Sequence, residues 1–260
     1  MSNMGSTPPE QYYRLKPFLD FFQEGTPILM YHKIGLRPRK VRLKGLYVRP
    51  DAFERQVEEF AREGFQTVSP AEARTPAARA CRRVALTFDD GFKNVFDNAL
   101  EPLARHKMRA MQFLVVNSIG KLNEWDLRDG EAPEPLMDEA QVRDWLAAGH
   151  WIGSHSLTHA RLTRLTARDA REEIVASKKR LEDMFGLAVE DFCYPYGDFS
   201  PAVRDLVMEA GYRTACTTEY GLNGSETPAL ELRRITVRHP TRTLKTLTAA
   251  LSEAAAEFGA

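Results

Sequence analysis

From Pro27 onward, short β-rich apolar runs alternate with amphipathic stretches of helical spacing, and no other feature restricts the possible folds as strongly. Pro27–His32 reads as a buried strand. From Asp51 to Arg62, Phe53, Val57 and Phe60 recur at helical spacing, and Gly64 supplies the stop. The same unit then repeats. Strands are expected at Phe65–Val68, Arg83–Phe88, Gln112–Val116, Trp151–Ser154, Asp191–Tyr194, Arg213–Thr217 and Arg233–Val237. Helices are expected around Val95–Lys107, Asp138–Ala148, Thr166–Phe185, Pro201–Ala210 and Thr243–Phe258. Such alternation argues for parallel strands whose crossover helices cover the sheet, because parallel neighbours need a long connection between them. Seven or eight strands of this kind close naturally into an α/β barrel. An open doubly wound sheet is the alternative, and the lack of a G-x-G-x-x-G after any early strand weighs against a dinucleotide-binding version of it.

At 260 residues and 43% apolar content, the chain can bury one large core. No fixed-period repeat or linker divides it, so residues 1–24 are read as an N-terminal extension and 25–260 as a single domain. Lys plus Arg and Asp plus Glu both number 36, which gives no reason to expect nucleic acid or an anionic membrane as partner. The basic run Arg37–Lys44 reads as a solvated loop. Cys81, Cys193 and Cys216 are odd in number and lack C-x-x-C spacing, so no disulfide framework is implied. The first 24 residues hold no continuous apolar core of the signal-peptide kind, and no stretch is long enough to span a bilayer. A soluble protein of a reducing, cytoplasmic compartment is expected.

Two segments carry the chemistry. Val84–Phe88 is an apolar strand running straight into Asp89-Asp90-Gly91, and Trp151–Ser154 runs straight into His155-Ser156-Leu157-Thr158-His159. In a parallel α/β barrel, strand ends and the loops after them form the active-site rim, so these segments should converge. Adjacent carboxylates at a buried strand end repel each other unless a cation neutralises at least one. Two imidazoles four positions apart can face one ion. One Asp and both His make a three-ligand site with an open position, leaving the other Asp to take a proton from water. That combination points to a hydrolase.

Thr87-Phe88-Asp89-Asp90-Gly91 and His155-Ser156-Leu157-Thr158-His159 resemble the first and second motifs of the polysaccharide deacetylase family, also called NodB-homology or carbohydrate esterase family 4. Met30-Tyr31-His32, Ala148-Gly149-His150 and Tyr194-Pro195-Tyr196-Gly197 extend the resemblance from about Ile28 to Leu247. The resemblance implies a distorted (β/α) barrel and metal-dependent removal of acyl groups, usually acetyl from N-acetylated sugars. It implies Asp90, His155 and His159 as metal ligands, Asp89 as general base, and the Tyr196 N–H as part of an oxyanion site. Zn2+ is the expected metal, with Co2+, Ni2+ or Fe2+ also suited to such a donor set. The expected partner is an acetylated sugar or polysaccharide; oligomeric state is left open.

The chain departs from the family pattern in three places. Cys193 occupies the position of the arginine that orients the base in many relatives, so Asp89 must be held by another cation or work without one. A small buried apolar filler is the expected role of Cys193. The paired Asp and Trp of the family's fourth motif are not evident after Gly211. The fifth motif, L-x-H, has its nearest counterpart in Val237-Arg238-His239, which makes His239 the candidate general acid. His32, at the end of the first strand, is expected near the site, where it contacts substrate or positions Asp89, or else is a buried structural histidine. Trp125, on the long loop Lys121–Leu136, and Pro195 with Tyr196 are candidate sugar contacts. His106 reads as a helix cap, His150 as structural, and Trp145 and Trp151 as core. Two other readings stay open: an acyl hydrolase on the same scaffold acting on O-acetyl esters, formyl groups or non-sugar amides, and a catalytically weak carbohydrate-binding relative.

Overall fold

The computed structural model describes residues 11–39, 41–75, 81–127 and 132–238. Its ten strands are β1 (Ile28–Tyr31), β2 (Lys33–Ile34), β3 (Tyr47–Val48), β4 (Gln66–Thr67), β5 (Arg83–Phe88), β6 (Met111–Leu114), β7 (Trp151–Ser154), β8 (Asp191–Cys193), β9 (Thr214–Cys216) and β10 (Ile235–Thr236). The helices are α1 (Pro50–Arg62), α2 (Lys93–Arg105), α3 (Glu139–Ala147), α4 (Ala167–Phe185) and α5 (Pro201–Glu209). The main sheet has eight strands, in the order β10-β1-β5-β6-β7-β8-β9 with β4 added to the start of β5, and every described pairing in it is parallel. The segment entering β10 draws the two edges together. Leu232 forms a parallel bridge to Cys216 of β9, while Ile235 and Thr236 pair with Leu29 and Met30 of β1. The sheet is therefore a distorted (β/α) barrel, closed by one short stretch of chain.

The alternation of side chains sorts the interior into two cores. Leu86 and Phe88 of β5, Leu114 of β6 and Phe192 of β8 face the helices, in a large core that also takes Phe53, Val57 and Phe60 of α1 and Trp145 of α3. Ala85, Met111, Phe113, Cys193, Cys216 and Leu232 form a smaller core of the opposite parity, inside the barrel. Gly153 belongs to that interior: a Cβ there would stand 2.6 Å from the Phe113 ring and 2.8 Å from the Asp191 carbonyl oxygen. A larger residue would lift the floor of the barrel.

Local chemistry ends the helices where the sequence suggests. Asp138 caps α3 in a reciprocal capping box with Gln141, Thr166 caps α4 through the Asp169 N–H, and Ser200 caps α5 through the Val203 N–H. His106 is the C-cap of α2. The expected helix Thr243–Phe258 lies outside the described residues. β2 and β3 were not expected; each is two residues long and too short to leave a periodic signal. From residue 11 on, the stretch assigned to an extension shares the core: Tyr12, Leu15, Phe18 and Phe22 are buried, and the Tyr12 N–H donates to Thr236 O on the outer edge of β10 at 2.9 Å. No described helix is long and apolar enough to cross a membrane.

His150 is structural. It packs against Trp145 with ring centroids 4.2 Å apart, and its Nδ1 accepts the Ala110 N–H at 3.2 Å. Burial, with the charge of Arg109 nearby, pushes its pKa down to about 4. The unfolded chain therefore binds a proton that the folded one refuses, so stability is present above about pH 6.5 and drains away as the pH falls through 4. His150→Asn, which keeps an acceptor in place of Nδ1, should flatten this loss. Urea unfolding between pH 7 and pH 4 should show wild type losing on the order of 2 kcal/mol more than the variant.

Candidate active site

The strand ends build the site. Asp89 follows directly on β5, its N–H still donating to Tyr31 O of β1 at 3.0 Å. The chain then turns through left-handed conformations at Asp90 (φ 75°) and Gly91 (φ 89°). Ser156, His159 and Tyr196 also have positive φ, so four of the five non-glycine positions of this kind among the described residues border one site. Each costs roughly 1–2 kcal/mol, which the surrounding packing must offset. Both neighbouring carboxylates are buried, and each meets a different set of partners.

Asp90 faces the two imidazoles. Its Oδ1 lies 3.4 Å from His155 Nε2 and 3.2 Å from His159 Nε2, and no hydrogen-bond donor is aimed at it. The three ligand atoms lie within 4.8 Å of one another. His155 is oriented from behind by the Cys193 carbonyl, 2.7 Å from its Nδ1, which leaves Nε2 for the site. Burial alone would raise the Asp90 pKa, but the two imidazoles override it and hold the carboxyl well below the ordinary range. Burial pulls His159 down, so its ring is neutral with a lone pair to give. His155, by contrast, is held well above the ordinary imidazole range despite its burial, by Cys193 and Asp90, so a divalent cation, which binds ionised carboxylate and neutral imidazole, would have to displace its proton.

Asp89 is held by Arg234. The guanidinium reaches across from the residue before β10 and makes a bidentate pair, Nη1 to Oδ1 at 2.7 Å and Nη2 to Oδ2 at 2.8 Å. Its Nε donates to Thr217 O, its Nη1 also to Thr87 Oγ1 at 3.2 Å, and its Nη2 to Cys193 Sγ at 3.1 Å. Sequence reasoning missed this residue. The signal was an arginine inside a run expected to be a strand, which is out of place unless it has a buried partner. The cation that Cys193 cannot supply thus arrives from another strand, and the small thiol leaves room for it. Cys193 is more than a filler: its Sγ also stands 3.7 Å from Asp89 Oδ2. Burial would raise the Asp89 pKa, and the guanidinium overrides it, so Asp89 is ionised.

A second donor set, Asp89 with His155 and Cys193, is equally compact. Both Asp89 oxygens are taken by Arg234, and burial pushes the Cys193 thiol up to about 11, so that set offers a guanidinium and a protonated sulfur. The Asp90 set is the one suited to a metal. His32 stands beside Asp89, with Nε2 3.9 Å from Oδ2, and burial lowers its pKa. Trp125 stacks on His159 at 4.7 Å and 23°, held over the site by a loop neck in which Leu122 bridges Pro135. Tyr196 packs edge-on against His159 at 4.4 Å, and its own ring carries the Arg161 guanidinium at 3.9 Å. Pro195 is buried in the same turn. His239 lies outside the described residues.

Residues 77–215, more than half of the chain, match the family model for polysaccharide deacetylase. The chain belongs to the polysaccharide deacetylase family. YxkH of Bacillus subtilis, provisionally named a polysaccharide deacetylase, is 28% identical over 218 residues, covering 81% of this chain and 71% of YxkH. PgdA of Listeria monocytogenes, named a peptidoglycan-N-acetylglucosamine deacetylase, is 28% identical over 133 residues, 51% of this chain and 25% of PgdA. A provisionally named polysaccharide deacetylase of Bacillus anthracis has a solved structure similar to this one, with a TM-score of 0.70 and 25% identity over 86% of this chain and 68% of that one. The distorted barrel of this polysaccharide deacetylase family member is thus the fold of its relatives.

The buried pair makes a stability prediction. Arg234→Met strands the Asp89 charge and should lower the unfolding free energy by about 3–5 kcal/mol, whereas adding Asp89→Leu should recover much of the loss. Urea denaturation of the single and double variants measures this; a single variant as stable as wild type would contradict the pairing.

Proposed function

We propose that this polysaccharide deacetylase family member is a metal-dependent hydrolase that removes N-linked acetyl groups from a sugar polymer. The observation that carries the reading is the convergence of Asp90, His155 and His159 beside an ionised Asp89 pinned by Arg234. Two imidazoles and a carboxylate, with a buried Asp90 oxygen lacking any hydrogen-bond donor, fit a divalent cation such as Zn2+, and Co2+, Ni2+ or Fe2+ by the same donor chemistry. When bound, the cation supplies Lewis acidity toward an acyl oxygen and makes nearby water more acidic. Family membership and the named activity of PgdA support an N-acetyl substrate.

The chain's own residues then divide the proton work. Asp89 accepts a proton from water as its oxygen attacks the acyl carbon, and the bidentate guanidinium keeps the carboxylate aimed while that happens. The carbon–nitrogen bond breaks, and the amine needs a proton in order to leave. His32, neutral through burial and 3.9 Å from Asp89, takes the proton from Asp89 and passes it to the amine. On the same reading the backbone N–H of Tyr196, which sits in a left-handed turn (φ 60°), helps to hold the developing oxyanion. Trp125 and Tyr196, both packed against His159, are the aromatic rings beside the site that a sugar would contact.

Metal analysis joined to acetate release from N-acetylglucosamine oligomers tests the reading. Asp89→Asn should keep its metal and lose acetate release by about 10²–10⁴-fold, whereas His155→Ala and His159→Ala should lose the metal. Normal turnover by Asp89→Asn would refute its role. Formate or ester-derived acetate as the main product from a mixed substrate panel would shift the reading to the corresponding acyl hydrolase. The proton route has its own check: His32→Ala should lower kcat by on the order of 10²-fold and His239→Ala should not, and the opposite ranking would return the acid role to His239.

A further inference from the structure

The turn between the two imidazoles is held by a carboxylate from outside the site. Between His155 and His159 the backbone passes through left-handed conformations at Ser156 (φ 64°) and again at His159 (φ 64°), so two successive N–H groups, of Leu157 and Thr158, point away from any strand partner. Both donate to one oxygen of Glu173 on α4, Oε2, at 2.9 and 3.0 Å. The Thr158 hydroxyl donates to the other, Oε1, at 2.6 Å. Glu173 is buried and makes no ion pair among the described residues, so its acceptors are spent on this turn. An ionised carboxylate is the side chain suited to the task, because it accepts at both oxygens and offers no hydrogen to the converging donors.

The rest of the turn hangs on this clamp. Ser156 N–H donates to Ser154 Oγ at 3.3 Å and His159 N–H to Ser156 Oγ at 3.1 Å, both local bonds between neighbours in sequence. On the side facing β6, Val116 and Asn117 donate to the carbonyls of Ser156 and Leu157 at 3.2 and 2.9 Å. Glu173 supplies the opposing hold, from a helix anchored in the large core by Ile174 and Leu181. With one side tied to the sheet and the other to α4, the turn keeps both Nε2 atoms directed at Asp90.

We propose that Glu173 is a positioning residue for the metal, which sets how tightly the cation is held without touching it. The proposal rests on the reading that Asp90, His155 and His159 bind a divalent cation. Glu173→Gln is the diagnostic change, because its amide places a hydrogen-bearing nitrogen where one of the three donors now points. Glu173→Ala removes the clamp altogether, and Leu181→Ala, on the same helix but inside the core, controls for general destabilisation.

The test is the Zn2+ dissociation constant of the full chain, stripped of metal and titrated against a chromophoric chelator, together with hydrogen exchange at the Leu157 and Thr158 amides. Glu173→Gln and Glu173→Ala should bind Zn2+ roughly 10–100-fold more weakly than wild type and lose protection at those amides. Leu181→Ala should lower the Tm and leave the affinity within about twofold, since it creates a cavity away from the turn. Should the Glu173 variants fail to fold, Thr158→Val removes one of the three bonds and should weaken Zn2+ binding severalfold. Wild-type affinity in the Glu173 or Thr158 variants overturns the proposal alone. A wild-type chain that takes up no Zn2+, Co2+ or Ni2+ overturns the metal reading and this proposal with it.

Discussion

Two adjacent carboxylates can coexist in a protein interior only if each finds its own positive partner, and the centre of this molecule is organised around that requirement. Asp89 and Asp90 are both buried at the end of β5. Asp89 is satisfied by a bidentate guanidinium from Arg234, while Asp90 Oδ1 faces the two imidazoles across the rim without a hydrogen-bond donor, the position a divalent cation would neutralise on the proposed reading. The left-handed turn at Asp90 sends the two side chains to their separate partners. Without that turn, both charges would compete for the same neighbours in a region of low dielectric, where repulsion between them is strong.

This arrangement depends on barrel closure. Arg234 stands just before β10, in the stretch that bridges β9 through Leu232 and β1 through Ile235 and Thr236. The residue that holds Asp89 is therefore part of the seam that holds the barrel shut. Beneath it, the small interior core of Ala85, Met111, Phe113, Cys193, Cys216 and Leu232 forms an apolar floor. An apolar floor strengthens each electrostatic contact above it, because the local dielectric is low. Around the rim, Trp125 stacks on His159 and Tyr196 meets it edge-on.

Cys193 shows how a departure from a family pattern can be compensated through space. Read along the chain, it is the loss of a cation expected next to Asp89. In three dimensions its thiol borders a guanidinium that has come from a strand some forty positions later, and the carbonyl of the same residue orients His155. A longer side chain at position 193 would occupy the space Arg234 fills. The charge needed beside Asp89 is thereby kept while its point of attachment moves, which the carboxylate cannot distinguish.

The sequence by itself determined the order of strands and helices and the placing of Asp89, Asp90, His155 and His159 at strand ends. All of these follow from the periodicity and chemistry of short windows, in which neighbours along the chain dictate local geometry. Tertiary structure alone decided that Arg234 holds Asp89, that Glu173 ties down the turn of the two imidazoles, that Trp125 lies over His159, and that Tyr12 and Phe18 join the core. Those contacts join residues far apart in sequence, and their distances are set by how the sheet curls and closes. A pattern read within a window carries no measure of that closure, so the donors could be named from the chain but their supporting partners could not.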